Sequence, residues 1–81
     1  MGETIETKVL NLFSDHFGAE KEELNPSLEL GKDLNLSPLE VSDFLVILEN
    51  IFHVSIPKEE SEKFITLADI IDSVVNYGNF T

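Results

Sequence analysis

The sequence predicts an all-α fold: four helices in a bundle, with a long loop between the first and second helices and a short third helix. Three observations carry this. Apolar residues recur at three- and four-residue spacing in three separate segments, two of those segments open with capping sequences, and no obvious pair of strands stands anywhere between them. The whole of residues 1–81 reads as one small domain without repeats, low-complexity tracts or linkers.

The first segment places Ile5, Val9, Leu12, Phe13 and Phe17 on one helical face, and Gly18 follows as a stop. The expected helix covers roughly residues 4 to 17. Glu3 and Glu6 suit its positive N-terminal end, and His16 its opposite end. With no partner for chemistry in sight, His16 reads as a surface or capping group. Residues 19–36 then carry Leu24, Leu28, Leu30, Leu34 and Leu36 without sustained period, interrupted by Pro26 and Gly31. A loop of that length fits a compact domain only if its side chains dock on the core, and the scattered leucines are expected to do so.

The second helix has the clearest start. Ser37-Pro38-Leu39-Glu40 is a capping box with Ser37 as N-cap, Pro38 as first helical residue and Glu40 reaching back to the cap. Val41, Phe44, Leu45, Leu48 and Phe52 make its apolar face over roughly 38 to 52. Val46, Ile47 and Ile51 widen that face, so this helix is expected to be the most buried of the four. Glu40, Asp43 and Glu49 are expected to face outward. Pro57 is expected to stop or redirect the chain, and His53, just past the helix among apolar neighbours, reads as a helix-end or packing residue.

Lys58 to Lys63 allows one or two helical turns. Thr66-Leu67-Ala68-Asp69 opens the last helix, with Thr66 as N-cap, Asp69 at the third helical position, and Ile65 and Ile70 at the staple positions. Leu67, Ile70, Ile71, Val74 and Val75 form its expected buried stripe, and Gly78 is expected to close it.

Composition narrows the function. Sixteen acids face five lysines and no arginine, for a formal net charge of −11. Nucleic acids and anionic membranes both demand the cations this chain lacks, whereas a basic protein surface is attracted to it. There is no cysteine, hence no disulfide, thiolate nucleophile or cysteine metal site. No signal-type apolar region and no membrane-length apolar run is present, so a soluble, cytoplasmic monomer is expected. Asp33 to Ser37 alternates oxygen-bearing side chains, but an EF-hand needs glycine and glutamate where Pro38 and Phe44 stand, so no metal site is expected. No Ser-His-Asp spacing, glycine-rich phosphate loop or paired histidines occur, and too few groups converge for the chain to be an enzyme.

The stretch Asp33 to Pro57 resembles the second helix of acyl carrier proteins, which read DLG-x-DSL-(D/E)-x-(V/I)-E-L-(V/I)-x-x-(L/I)-E-E-x-F-x-x-x-IP. Asp33-Leu34, Leu39, Glu40, Asp43, Leu48, Glu49, Phe52 and Ile56-Pro57 fall in that register without a gap. Ile5, Val9 and Leu10 suit the family's first helix, and residues 58–67 resemble its IP-(D/E)-E-x-(A/S)-E-K-(I/F)-x-T-(V/L). The resemblance implies a noncatalytic carrier of fatty acid, polyketide or related synthesis, presenting an acyl or aminoacyl thioester on a 4′-phosphopantetheine arm to synthase or transferase enzymes. It also implies a phosphopantetheinyl transferase as a partner. The family's arm-bearing serine, however, falls on Pro38, which cannot be esterified. Ser37, one place early, is the single nearby hydroxyl, and it is the expected N-cap. Two functions remain open: a carrier loaded at Ser37, or an arm-less relative that docks basic partners through the acidic second helix. In either, Glu40, Asp43, Ile47 and Glu49 are the expected docking residues, with Val46 or Ile51 as alternative apolar anchors.

Overall fold

The structure is a computed structural model that describes residues 4–78. Helix α1 covers Ile5–Phe17, α2 Pro38–Phe52, α3 Lys58–Ser61 and α4 Leu67–Tyr77. Among the described residues there is no strand, only one isolated antiparallel bridge between Glu29 and Thr66. Glu3, expected near the start of α1, lies outside the described residues.

The helix ends follow the local chemistry of the sequence. Thr4 caps α1 by accepting the Thr7 N–H at 3.1 Å. Gly18 closes it in the left-handed region at φ 72°, donating its N–H to the Ser14 carbonyl at 2.8 Å. Both α2 and α4 open with complete capping boxes, Ser37 with Glu40 and Thr66 with Asp69. Each box satisfies two backbone donors that a bare helix end would leave exposed. Helix α2 ends where expected. His53 terminates the helix by turning left-handed at φ 56°, and Pro57 lies beyond it as the N-cap of α3. Gly78 ends α4 with extended backbone, its N–H donating to the Val74 carbonyl at 2.9 Å.

Helices α1, α2 and α4 pack pairwise around one core. Val9, Phe13, Phe44, Leu48, Leu67, Ile70 and Val74 are its fully buried side chains. Each such residue contributes about 1.5–3 kcal/mol through removal from water. Phe13 meets the edge of Phe44 at 5.3 Å between ring centroids, and Phe17 tilts against both. His16 is exposed and stacks its ring over Phe44 at 6.0 Å, so it is an edge-of-core surface residue.

Three burial expectations fail. Helix α4, not α2, is the most buried: five of its eleven residues are buried, against three of fifteen in α2. Val46 and Ile51 remain 54% and 48% exposed. A helix lying on one side of a small core buries only one stripe, and Phe44, Leu45 and Leu48 already fill it. In α4, Val75 is exposed while Ser73 is buried in its stead. Ile65 stays exposed although Ile70 is fully buried, so the expected staple buries one of its two members.

The long loop docks as its leucines require. Leu30 is buried, and Leu24, Leu28, Leu34 and Leu36 pack against the core. It also contains a short 3-10 turn at Lys21–Glu23. Backbone bonds tie the loop to the start of α4. The Leu30 N–H donates to the Ile65 carbonyl at 2.8 Å, Leu67 N–H to Leu28 at 3.0 Å, and Ala68 N–H to Pro26 at 2.8 Å. The loop then turns sharply into α2. Asp33 and Leu34 both donate to the Glu29 carbonyl, and the Asp33 carboxylate accepts the Glu29 N–H at 2.8 Å. Asn35 follows in the left-handed region at φ 56°, where asparagine is better tolerated than most residues. The anchored loop thereby fixes where α2 begins.

Candidate functional site: the start of α2 and its outer face

Ser37 has the extended backbone of an N-cap, φ −82° and ψ 161°. Its Oγ accepts the Glu40 N–H at 3.2 Å, while Glu40 Oε1 accepts the Ser37 N–H at 2.9 Å. Pro38 is the first helical residue, a position whose backbone N–H would have no partner in any case. Ser37 and Pro38 are both exposed, and Leu39 beside them is 70% exposed. The positive end of the α2 dipole lies here, together with the Glu40 carboxylate that partly answers it.

Down the outer face, Glu40, Asp43 and Val46 are exposed and Ile47 is half-buried. Leu39, Asp43 and Val46 follow the three- and four-residue spacing of a single surface stripe. That stripe is an apolar strip interrupted by an acid, with Glu40 alongside. Glu49 does not belong to it. Its Oε2 accepts the Ile56 N–H at 2.8 Å, and the residue is half-buried. Its carboxylate is a structural brace between α2 and the α2–α3 connection, rather than a free docking charge. Leu39, Val46 and Ile51 are exposed apolar groups; of these, Leu39 was not singled out as an anchor in the sequence. Nothing in their spacing separates them from core positions, because α2 is apolar around much of its circumference.

Beside the start of α2 lies a groove of about 530 Å³ whose lining includes Leu36, Pro38, Val41, Leu45, Lys58 and Phe64. It runs between α2 and α3, and Ser42 and Glu62 also border it. No group of three or more acids or histidines able to hold a metal ion occurs among the described residues.

The architecture is shared with solved structures. A putative acyl carrier protein from Mycobacterium tuberculosis superposes with a TM-score of 0.84 at 18% identity, covering 91% of this chain and 99% of that one. The acyl carrier protein of Enterococcus faecalis superposes at 0.75 with 30% identity, over 91% of this chain and 94% of its own. No family model matches the chain. Sequence comparison decides the matter: an acyl carrier protein of Rubrobacter xylanophilus is 31% identical over 75 residues, 93% of each protein. The chain belongs to the acyl carrier protein family. As a member of that family it is noncatalytic. Ser37-Pro38-Leu39 opens α2, and left-handed Asn35 stands two residues before Ser37. No helix among the described residues is long and apolar enough to cross a membrane.

Proposed function

We propose that this chain is an arm-less acyl carrier-type module, a cytoplasmic monomer that docks basic surfaces of acyl-transfer or synthase enzymes through the outer face of α2. The observation that carries this reading is at the start of that helix. The position where the family bears its serine is Pro38, and the neighbouring hydroxyl, Ser37, is engaged as the α2 cap. Esterifying Ser37 would place a phosphodiester next to the Glu40 carboxylate and disturb a capping box that contributes to helix stability. The docking half of the function needs none of this. Glu40 and Asp43 supply negative charge, and Leu39 and Val46, with half-buried Ile47, supply apolar anchors.

Loading at Ser37 is the second reading, favoured by one feature. Its side chain is exposed at a helix N-terminus, where backbone N–H groups and the dipole stabilise a phosphate. Intact-mass spectrometry after incubation with coenzyme A and several phosphopantetheinyl transferases separates the two. The arm-less reading expects an unchanged mass. A gain that disappears in Ser37→Ala establishes the carrier instead.

A further inference from the structure

We infer that the docking face of α2 is built for a partner helix of split charge, with basic side chains on the flank that meets Glu40 and Asp43 and an acidic side chain on the opposite flank that meets Lys58. The inference rests on the proposed docking function and adds the partner's chemistry to it.

The exposed surface of α2 carries three parallel lines. Leu39 and Val46 make an apolar ridge along its middle. At about 100° per residue, Glu40, Asp43 and Ile47 fall on one side of that ridge, and Pro38 and Ser42 on the other. The acidic side is the one nearer α1, whose His16 stacks over Phe44 on that flank. The other side meets α3. There Ser42 and Lys58 line both the groove and a smaller adjoining notch of about 150 Å³.

The notch has the chemistry of a carboxylate socket. Lys58 is exposed, and its ammonium makes no ion pair among the described residues. Ser42 is exposed beside it and brings a hydroxyl donor. Glu49 also borders the notch, but its Oε2 is held by the Ile56 N–H at 2.8 Å. An incoming carboxylate would gain a charge-assisted bond from the ammonium and a second bond from the hydroxyl. An amphipathic helix supplies all three lines at once: an apolar stripe for the ridge and a different charge on each flank.

Opposing charges are present. Glu59 and Glu62 are exposed on the same side as Lys58, and the chain carries a net charge of −11. Those charges steer a basic partner from a distance, where salt screens them, whereas Lys58 acts at contact. A partner basic on both flanks would lay a like charge on Lys58 and is selected against.

The test is a titration of the full chain, at about physiological salt, with two synthetic amphipathic helical peptides. Both carry a leucine stripe with lysines along one flank; the other flank bears Glu in one peptide and Gln in the second. Lys58→Gln should weaken the Glu peptide relative to the Gln peptide by about three- to fivefold, the upper range for one exposed charge pair. Lys63→Gln removes the same charge from an exposed position that lines neither the groove nor the notch, and should leave the ratio unchanged. Asp43→Asn should weaken both peptides alike, which reports docking on the acidic flank separately. Binding of both peptides with the same ratio in wild type and Lys58→Gln overturns the inference and leaves the docking function standing. An equal response to Lys63→Gln also overturns it, by making charge count rather than position the cause. Failure of both peptides to bind removes the docking function and the inference together.

Discussion

Glu49 braces Ile56: the carboxylate of the former, near the end of α2, accepts the backbone N–H of the latter across seven residues of chain at 2.8 Å. The bond fixes the connection that carries Pro57 and α3, and with them one wall of the groove. Glu49→Ala should therefore lower stability by about 1–3 kcal/mol, the usual cost of removing a charged acceptor from a part-buried donor. Glu49→Gln, which keeps an acceptor oxygen, should cost less. Chemical denaturation of the two variants checks the order, and no loss in the alanine variant would remove the brace from the fold.

The cap at Ser37 makes a parallel expectation. Ser37→Ala should cost about 1 kcal/mol, whereas Ser37→Asp, which retains an acceptor at the same place, should be nearly neutral. Thermal melting measured side by side would show it. An unchanged melting temperature in the alanine variant would mean that the Ser37 to Glu40 bond contributes nothing to α2.

Exposure on α2 separates positions that look alike in sequence. Leu48 is fully buried, so Leu48→Ala should destabilise by about 2–5 kcal/mol. Val46 is 54% exposed, and Val46→Ser should stay within about 0.5 kcal/mol of wild type while weakening any partner that docks on this face. Equal destabilisation by the two substitutions would place Val46 in the core and take it off the docking surface.

Backbone conformation supplies another contrast. Gly18 holds φ 72°, and an added Cβ there would meet nothing within 4 Å. Gly18→Ala should cost about 1–2 kcal/mol from left-handed backbone strain alone. His53 already bears that strain at φ 56°. His53→Gly should gain up to about 1 kcal/mol, reduced by the greater freedom of glycine in the unfolded chain. Denaturation midpoints of the two variants should move in opposite directions.

Much of this was legible before any coordinates. The helices, their caps at Ser37 and Thr66 and the docking of the loop leucines follow from spacing and capping chemistry, which are local properties of the chain. What spacing could not reveal was which apolar residues of α2 lose the competition for the core. Val46, Ile47 and Ile51 share a helix with Phe44, Leu45 and Leu48, and only the packing of α1 and α4 chooses among them. The role of Glu49 was hidden for the same reason, since its partner is a backbone group in the following connection. The left-handed turn at His53 was equally unmarked, because histidine gives no strong signal for that conformation. At the candidate site, Pro38 standing where the resembled pattern has its serine was a reading of the sequence alone, but the groove that Pro38 shares with Lys58 needed the fold.

The measurement that bears most directly on the central claim is a paired one. The wild-type chain and a Ser37→Asp/Pro38→Ser double variant, which restores the family triplet, are incubated with coenzyme A and the same transferases and weighed intact. An arm-less wild type and a modified double variant are expected, which would place the block at position 38 and show the rest of the scaffold competent. Modification of the wild type, lost on Ser37→Ala, would contradict the account and make this chain a carrier loaded one residue early.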